Sequence, residues 1–190
     1  FNRYSVSTDG QNEQTVDTQN AAARITYDAG PVSFISVTSL WKGTSNSVGD
    51  VDGGLGAFFT APATGPGFIP FSAETRDRVP NLKQFTQEFR IASNGDGPLS
   101  YQAGVFYFDE TLTIRSDNYA TLGDFVGGVG LLTPSGGVNI IASQRQESTA
   151  WGVFGSATFA ITDALKLTGG IRYNDDKRDF TASRDFDSFP

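Results

Sequence analysis

The sequence predicts an all-β chain, an antiparallel meander of about six to seven strands that forms part of a wall between two media. Three observations predict it. Stretches of about ten residues alternate apolar and polar side chains, and they come in pairs joined by turns of only three to five residues. Successive pairs are separated by polar, Gly-rich segments of roughly thirty to forty residues. In the clearest pair, Ser148–Ile161 and Leu165–Asn174 flank the turn Thr162-Asp163-Ala164. Every second residue there reads Trp151, Val153, Gly155, Ala157, Phe159, Ile161, then Leu165, Leu167, Gly169, Ile171, Tyr173. Between them lie Ser156, Thr158, Lys166, Thr168, Arg172 and Asn174, so one face is apolar and the other polar. Strands of that length, ended by aromatic residues and joined by alternately short and long connections, meet the requirements of a transmembrane β-barrel.

The remaining elements follow the same pattern. Phe1–Ser7 reads as a weakly alternating strand end, and Thr8–Asp17 as a polar loop. Thr18–Asp28 is a strand with Ala21, Ala23, Ile25 and Tyr27 on one face. Asp28-Ala29-Gly30-Pro31 is a tight turn, Gly supplying an unusual φ and Pro a fixed one. Val32–Trp41 returns as a strand whose faces parity leaves open: Val32 and Phe34 have one parity, Ile35, Val37 and Trp41 the other. A loop is expected over Lys42–Leu82. Lys83–Ser93 carries Phe85, Phe89 and Ile91 on one face, interrupted by Gln87. The turn Asn94–Pro98 leads into Leu99–Glu110, with Leu99, Tyr101, Ala103, Val105 and Tyr107 in one parity and continuation through Thr111–Arg115. A second long loop is expected over Ser116–Glu147, and Asp175–Pro190 opens a third polar segment.

Composition narrows the function. A net charge of −7 leaves no basic stripe for nucleic acid. With no Cys and no His, disulfides and imidazole ligation or acid–base chemistry are excluded. No run approaches the roughly 18–20 apolar residues of a membrane helix, which a barrel strand does not need. The chain has no Met and begins at Phe1, so we read residues 1–190 as a partial β-barrel domain within a longer polypeptide. Such a piece, with open strand edges, is not expected to fold stably alone.

Candidate sites follow from parity. Glu88, Arg90, Lys166 and Arg172 point into the lumen if the apolar parity faces lipid; a wide, wet lumen also tolerates charge without any further role. Trp41, Tyr107, Trp151 and Tyr173 sit near strand ends and are candidates for an interfacial girdle, with ligand stacking the alternative for Trp41. Asp50-Val51-Asp52-Gly53-Gly54 resembles the start of a calcium loop, but the twelfth position is Ala61 where a bidentate Glu belongs. The Gly clusters lack the Gly-Lys-Ser/Thr of a phosphate cradle, and Ser156 has no nucleophile elbow around it. No enzyme, metal or cofactor is expected.

Several of these stretches resemble a known family. Phe85-Thr86-Gln87-Glu88-Phe89-Arg90-Ile91-Ala92-Ser93, a Gly-rich turn and Tyr101-Gln102-Ala103-Gly104-Val105-Phe106-Tyr107-Phe108-Asp109-Glu110 resemble a recurring hairpin of TonB-dependent outer-membrane receptors. Residues Trp151–Phe159, Ile161–Leu165 and Thr168–Tyr173 are similar to the next hairpin, and Asp28–Val32 to the preceding turn. The resemblance implies a 22-stranded transmembrane barrel in the outer membrane of a Gram-negative bacterium. It also implies a plug domain, an inner-membrane TonB complex as partner, and import of a siderophore, cobalamin, haem or oligosaccharide. Glu88, Arg90, Lys166 and Arg172 would then face the plug or guide the ligand. A passive porin-type barrel is the alternative, and a soluble β-sandwich binding module the third class.

Overall fold

The computed structural model describes residues 8, 10–51, 73–95, 97–120 and 138–188. They form six strands: β1 (Glu13–Asp28), β2 (Val32–Asp50), β3 (Ala73–Ser93), β4 (Leu99–Ala120), β5 (Val138–Ala160) and β6 (Lys166–Ser188). All six lie in one sheet in chain order, each antiparallel to the next, with β1 and β6 as its edges. The meander is therefore as expected. The strand expected over Phe1–Ser7 lies outside the described residues. Among the described residues no second sheet packs on this one, as a β-sandwich would require.

Register decides the faces, because side chains directly opposite across a ladder project the same way. Ile25 faces Ser36, Ser36 faces Phe89, Phe89 faces Val105, Val105 faces Val153 and Val153 faces Tyr173. The neighbouring row is Tyr27, Phe34, Ile91, Ala103, Gly155 and Ile171. One apolar face thus runs unbroken across six strands. Its large side chains are solvent-accessible, Ile171 at 80% and Ile25 at 68%. This settles β2: Phe34 and Leu40 share the apolar face, whereas Ile35, Val37 and Trp41 share the other. The polar residues that obscured the pattern satisfy one another. Thr38 Oγ1 donates to Gln87 Oε1 at 2.6 Å, and Gln87 Nε2 donates to Ser36 Oγ at 3.0 Å.

The apolar band crosses the hydrogen-bond rows obliquely. Its uppermost members are Leu40 on β2 and Phe85 on β3, in one row. On β4 and β5 they are Tyr107 and Trp151, one row lower, and on β6 Tyr173, lower again. The lower edge descends in the same sense, from Phe34 and Ile91 to Leu99, Phe159 and Leu167. Two rows are ~13 Å along a strand and four strand spacings are ~19 Å, a slope of roughly 35°. Strands tilted about 35–45° to a membrane normal produce that slope when the band is level with the bilayer. From Leu99 to Tyr107 the band covers ~27 Å of strand, roughly 22 Å in height at this tilt, close to the ~25 Å apolar belt of outer-membrane barrels.

The short turns all lie below this band and are bonded to each other. Gly30 adopts φ 85°, a conformation natural to glycine, and its N–H donates to Asp28 Oδ1 at 2.9 Å. Asn94, in the second turn, donates to Asp28 Oδ1 at 2.8 Å and to the Gly30 carbonyl at 3.1 Å. Its own Oδ1 accepts from Ser33 Oγ at 2.8 Å.

At the other end the structure differs from expectation. Much of the segments expected as loops at 42–82 and 116–147 is strand: β2 runs on to Asp50, β3 starts at Ala73, β4 reaches Ala120 and β5 starts at Val138. Likewise β1 starts at Glu13 and β6 continues to Ser188. These extensions are mostly polar, with apolar residues such as Val48, Val79, Ile140, Ile141, Phe180 and Phe186 scattered over both faces, so they lack the regular period-two contrast that marks a half-buried strand. A bulge between Arg78 and Asn81 places Pro80 where no ladder donor is needed and reverses the facing of β3 beyond it. The outward side chains there are Arg78 and Arg76, opposite Arg115 and Asp117. Asp117 pairs with both arginines: with Arg78 Nη2, and with Arg115 Nη2 at 3.2 Å. Burial pushes its carboxyl up, but hydrogen bonds and charge from Arg78 and Arg115 outweigh this and hold it below the ordinary carboxylate range.

Two outcomes are expected for the complete protein in lipid. Ala103→Arg, on the middle of the apolar face, should cost about 2–4 kcal/mol in denaturant unfolding from vesicles. Gln102→Arg, the adjacent residue on the opposite face, should cost far less; equal costs would remove the assignment of faces. Asp117, with its lowered pKa, stabilises the extension above the unfolded carboxylate value of about 3.9, and this is lost as pH falls through the folded value. Protection factors in 73–78 and 115–120, referred to the intrinsic exchange rate at each pH, should therefore fall on acidification in the wild type, whereas Asp117→Asn should already show the lower protection at neutral pH.

Candidate functional site

The face opposite the apolar band carries the chemistry. Residues Thr26, Ile35, Arg90, Gly104, Phe154 and Arg172 form one row across all six strands. The next row toward the long connections is Arg24, Val37, Glu88, Phe106, Gly152 and Asn174. Because β3 alternates, Glu88 and Arg90 project side by side, and Arg90 Nη2 pairs with Glu88 Oε1. The Arg90 guanidinium lies 5.7 Å from the centroid of the Phe154 ring. Such a stack contributes about 0.5–1 kcal/mol when exposed and ~2 when desolvated. Arg90 Nε is buried with no hydrogen-bond partner among the described residues.

Glycine makes this arrangement possible. A Cβ at Gly104 would stand 2.6 Å from Phe154 Cζ and 2.7 Å from the Phe89 carbonyl oxygen. The Phe154 ring thus lies across the strand where any other residue would project. Gly152 does the same for Asn174, whose Oδ1 accepts from Arg172 Nε at 2.8 Å.

All four charged candidates, Glu88, Arg90, Lys166 and Arg172, fall on this face. The structure brings Glu88, Arg90 and Arg172 into two adjoining rows. Lys166 stands apart, at the turn end of β6 opposite Ala160. Sequence reasoning missed Phe106, Phe108 and Phe154, which accompany the charges, together with Ile35 and Val37. The available signal was the continuous run Val105–Phe108, which makes both faces of β4 apolar at that level.

Of the four girdle candidates, Tyr107, Trp151 and Tyr173 lie along the upper edge of the apolar band. Trp151 and Tyr173 stack diagonally, with ring centroids 5.6 Å apart and planes tilted by 53°. Phe85, not foreseen as a girdle residue, pairs with Tyr107 at 6.2 Å. Trp41 lies on the other face, opposite Asn20 and Gln84. Among the described residues no cluster of His, Cys, Asp or Glu is arranged to hold a metal ion. Of the possible calcium segment, residues 52–54 lie outside the described residues.

Gly104→Ala should destabilise the sheet by about 1–3 kcal/mol, because the Phe89 backbone cannot move aside. Gly169→Ala, where an added Cβ meets nothing within 4 Å, should be nearly neutral. The heat needed to convert the folded to the unfolded band in detergent gels checks both.

The sequence was compared with known proteins. No curated protein matches the chain. A family model described as "TonB dependent receptor-like, beta-barrel" matches residues 1–189. The match covers every strand of the meander, its oblique apolar band and its charged opposite face, and the chain belongs to the TonB-dependent receptor-like β-barrel family.

Proposed function

We propose that this chain forms part of the wall of an active transporter that imports a scarce nutrient across the outer membrane of a Gram-negative bacterium. The observation that carries the reading is the single apolar face, continuous over six strands, confined to a bilayer-high band and edged by Tyr107, Trp151 and Tyr173. The outer strands β1 and β6 of the described sheet are then continued by further strands, since unpaired backbone in lipid costs several kcal/mol per group. In this reading the short turns face the periplasm and the strand extensions stand in the external medium, as in other outer-membrane barrels.

The opposite face then lines the lumen. Arg90, Glu88, Phe154 and Arg172 present fixed charge and an aromatic surface to whatever fills it, which in this family is a plug domain. The ligand is a siderophore, cobalamin, haem or oligosaccharide held by the external loops and plug apex, and the inner-membrane TonB complex supplies the energy.

Uptake by cells expressing the complete protein tests this. Radiolabelled examples of each ligand class should include one that is accumulated against its gradient. A protonophore should abolish that accumulation while leaving surface binding intact. Accumulation that stops at the external concentration and ignores the protonophore would mean a passive pore.

A further inference from the structure

Immediately above the apolar band, two like charges face each other. Lys42 on β2 and Lys83 on β3 are direct partners in the ladder, both exposed and both on the outward face. Each is the next outward residue after the last apolar one on its strand, Leu40 and Phe85 respectively. That places their stems ~6.7 Å along the strand beyond the band, at the level of lipid headgroups. Directly opposed like charges destabilise a sheet. Among the described residues, neither ammonium has a carboxylate within 4.0 Å. Of the other outward cations, Arg78, Arg115, Arg145 and Lys177 are ion-paired, and Arg76 stands well above the band beyond the bulge, directly opposite Asp117 in the ladder.

A second feature lies at the same place. The β3 bulge opens a cavity of about 230 Å³, lined by Asp17, Gln19, Lys42, Thr44, Asn81 and Lys83 among others. Lys42 and Lys83 outweigh the one carboxylate, Asp17, and Gln19, Thr44 and Asn81 add neutral hydrogen-bonding groups. On β4, β5 and β6 the corresponding first residues above the band are Asp109, Thr149 and Asp175. Among the described residues, positive charge on the outward face at this level is therefore confined to β2 and β3.

We propose that Lys42, Lys83 and this cavity form a binding site for the phosphate headgroup of an outer-leaflet lipid whose acyl chains lie on the apolar band beneath. The proposal rests on the membrane reading above. Two ammonium groups held across one ladder rung bracket a phosphate, and the anion relieves their repulsion. The bulge supplies the recess that a flat sheet lacks.

The test uses the complete protein in detergent micelles, observed by native mass spectrometry during titration with lipid A bearing two phosphates. Dephosphorylated lipid A and inorganic phosphate are the comparisons. Each lysine should contribute about fivefold, so Lys42→Gln/Lys83→Gln should weaken retention of the phosphorylated lipid roughly 30-fold. Lys177→Gln should leave it unchanged. In the wild type, the phosphorylated lipid should also protect Lys42 and Lys83, but not Lys177, from amine acylation, a readout that needs no variant. Equal retention of the dephosphorylated lipid, undiminished retention by the double variant, or inorganic phosphate binding as tightly as the lipid would each overturn the site. Quenching of Trp151 by brominated acyl chains separates the two levels of inference. Quenching without lysine dependence removes the headgroup site alone, whereas absence of quenching removes the membrane reading and the site with it.

Discussion

Satisfying backbone hydrogen bonds where no water can do so is the constraint on which the rest of this structure depends. A segment in hydrocarbon must pair every N–H and C=O within the protein, and a sheet does so only through unbroken ladders. The five ladders here run without a register shift through the whole apolar band. The shifts fall beyond it, between Gly43 and Ser45 on β2 and between Arg78 and Asn81 on β3. Pro80, which has no N–H to offer, is therefore found above the band and not within it.

Given those ladders, the side chains have little freedom. Tilted strands make a level apolar band descend from Leu40 and Phe85 to Tyr173, and the diagonal aromatic pairs follow that edge. Polar residues that must lie in the band are satisfied laterally, as Ser36, Thr38 and Gln87 are. Beyond the band the ion pairs along each strand, such as Arg145–Glu147 and Lys177–Asp179, are largely exposed. Pairs of that kind contribute about 0–1 kcal/mol each, so the extensions are held mainly by the ladder.

The inner face follows a different rule. There the sheet accommodates a ring and charges by omitting side chains: Gly104 receives Phe154, and Gly152 makes room for Asn174. Arg90 is held by Glu88 and by the Phe154 ring, so its direction is set before any partner arrives. A fixed cation beside an aromatic surface is suited to contact with another protein surface, because little side-chain freedom remains to be lost on docking.

Sequence alone determined the six hairpin strands through the band, their short turns and the parity of β1, β3, β4, β5 and β6, since period-two contrast directly records two unlike surroundings. It also placed Glu88, Arg90, Lys166 and Arg172 on the polar parity. The facing of β2, the extensions beyond residues 42 and 116, the position of Trp41 and the Phe154–Gly104–Arg90 cluster were decided only by the tertiary structure. Each depends on which residue stands opposite on a strand distant in sequence. Where both faces are polar, or both apolar, a chain read along its own length carries no contrast from which to recover that partner.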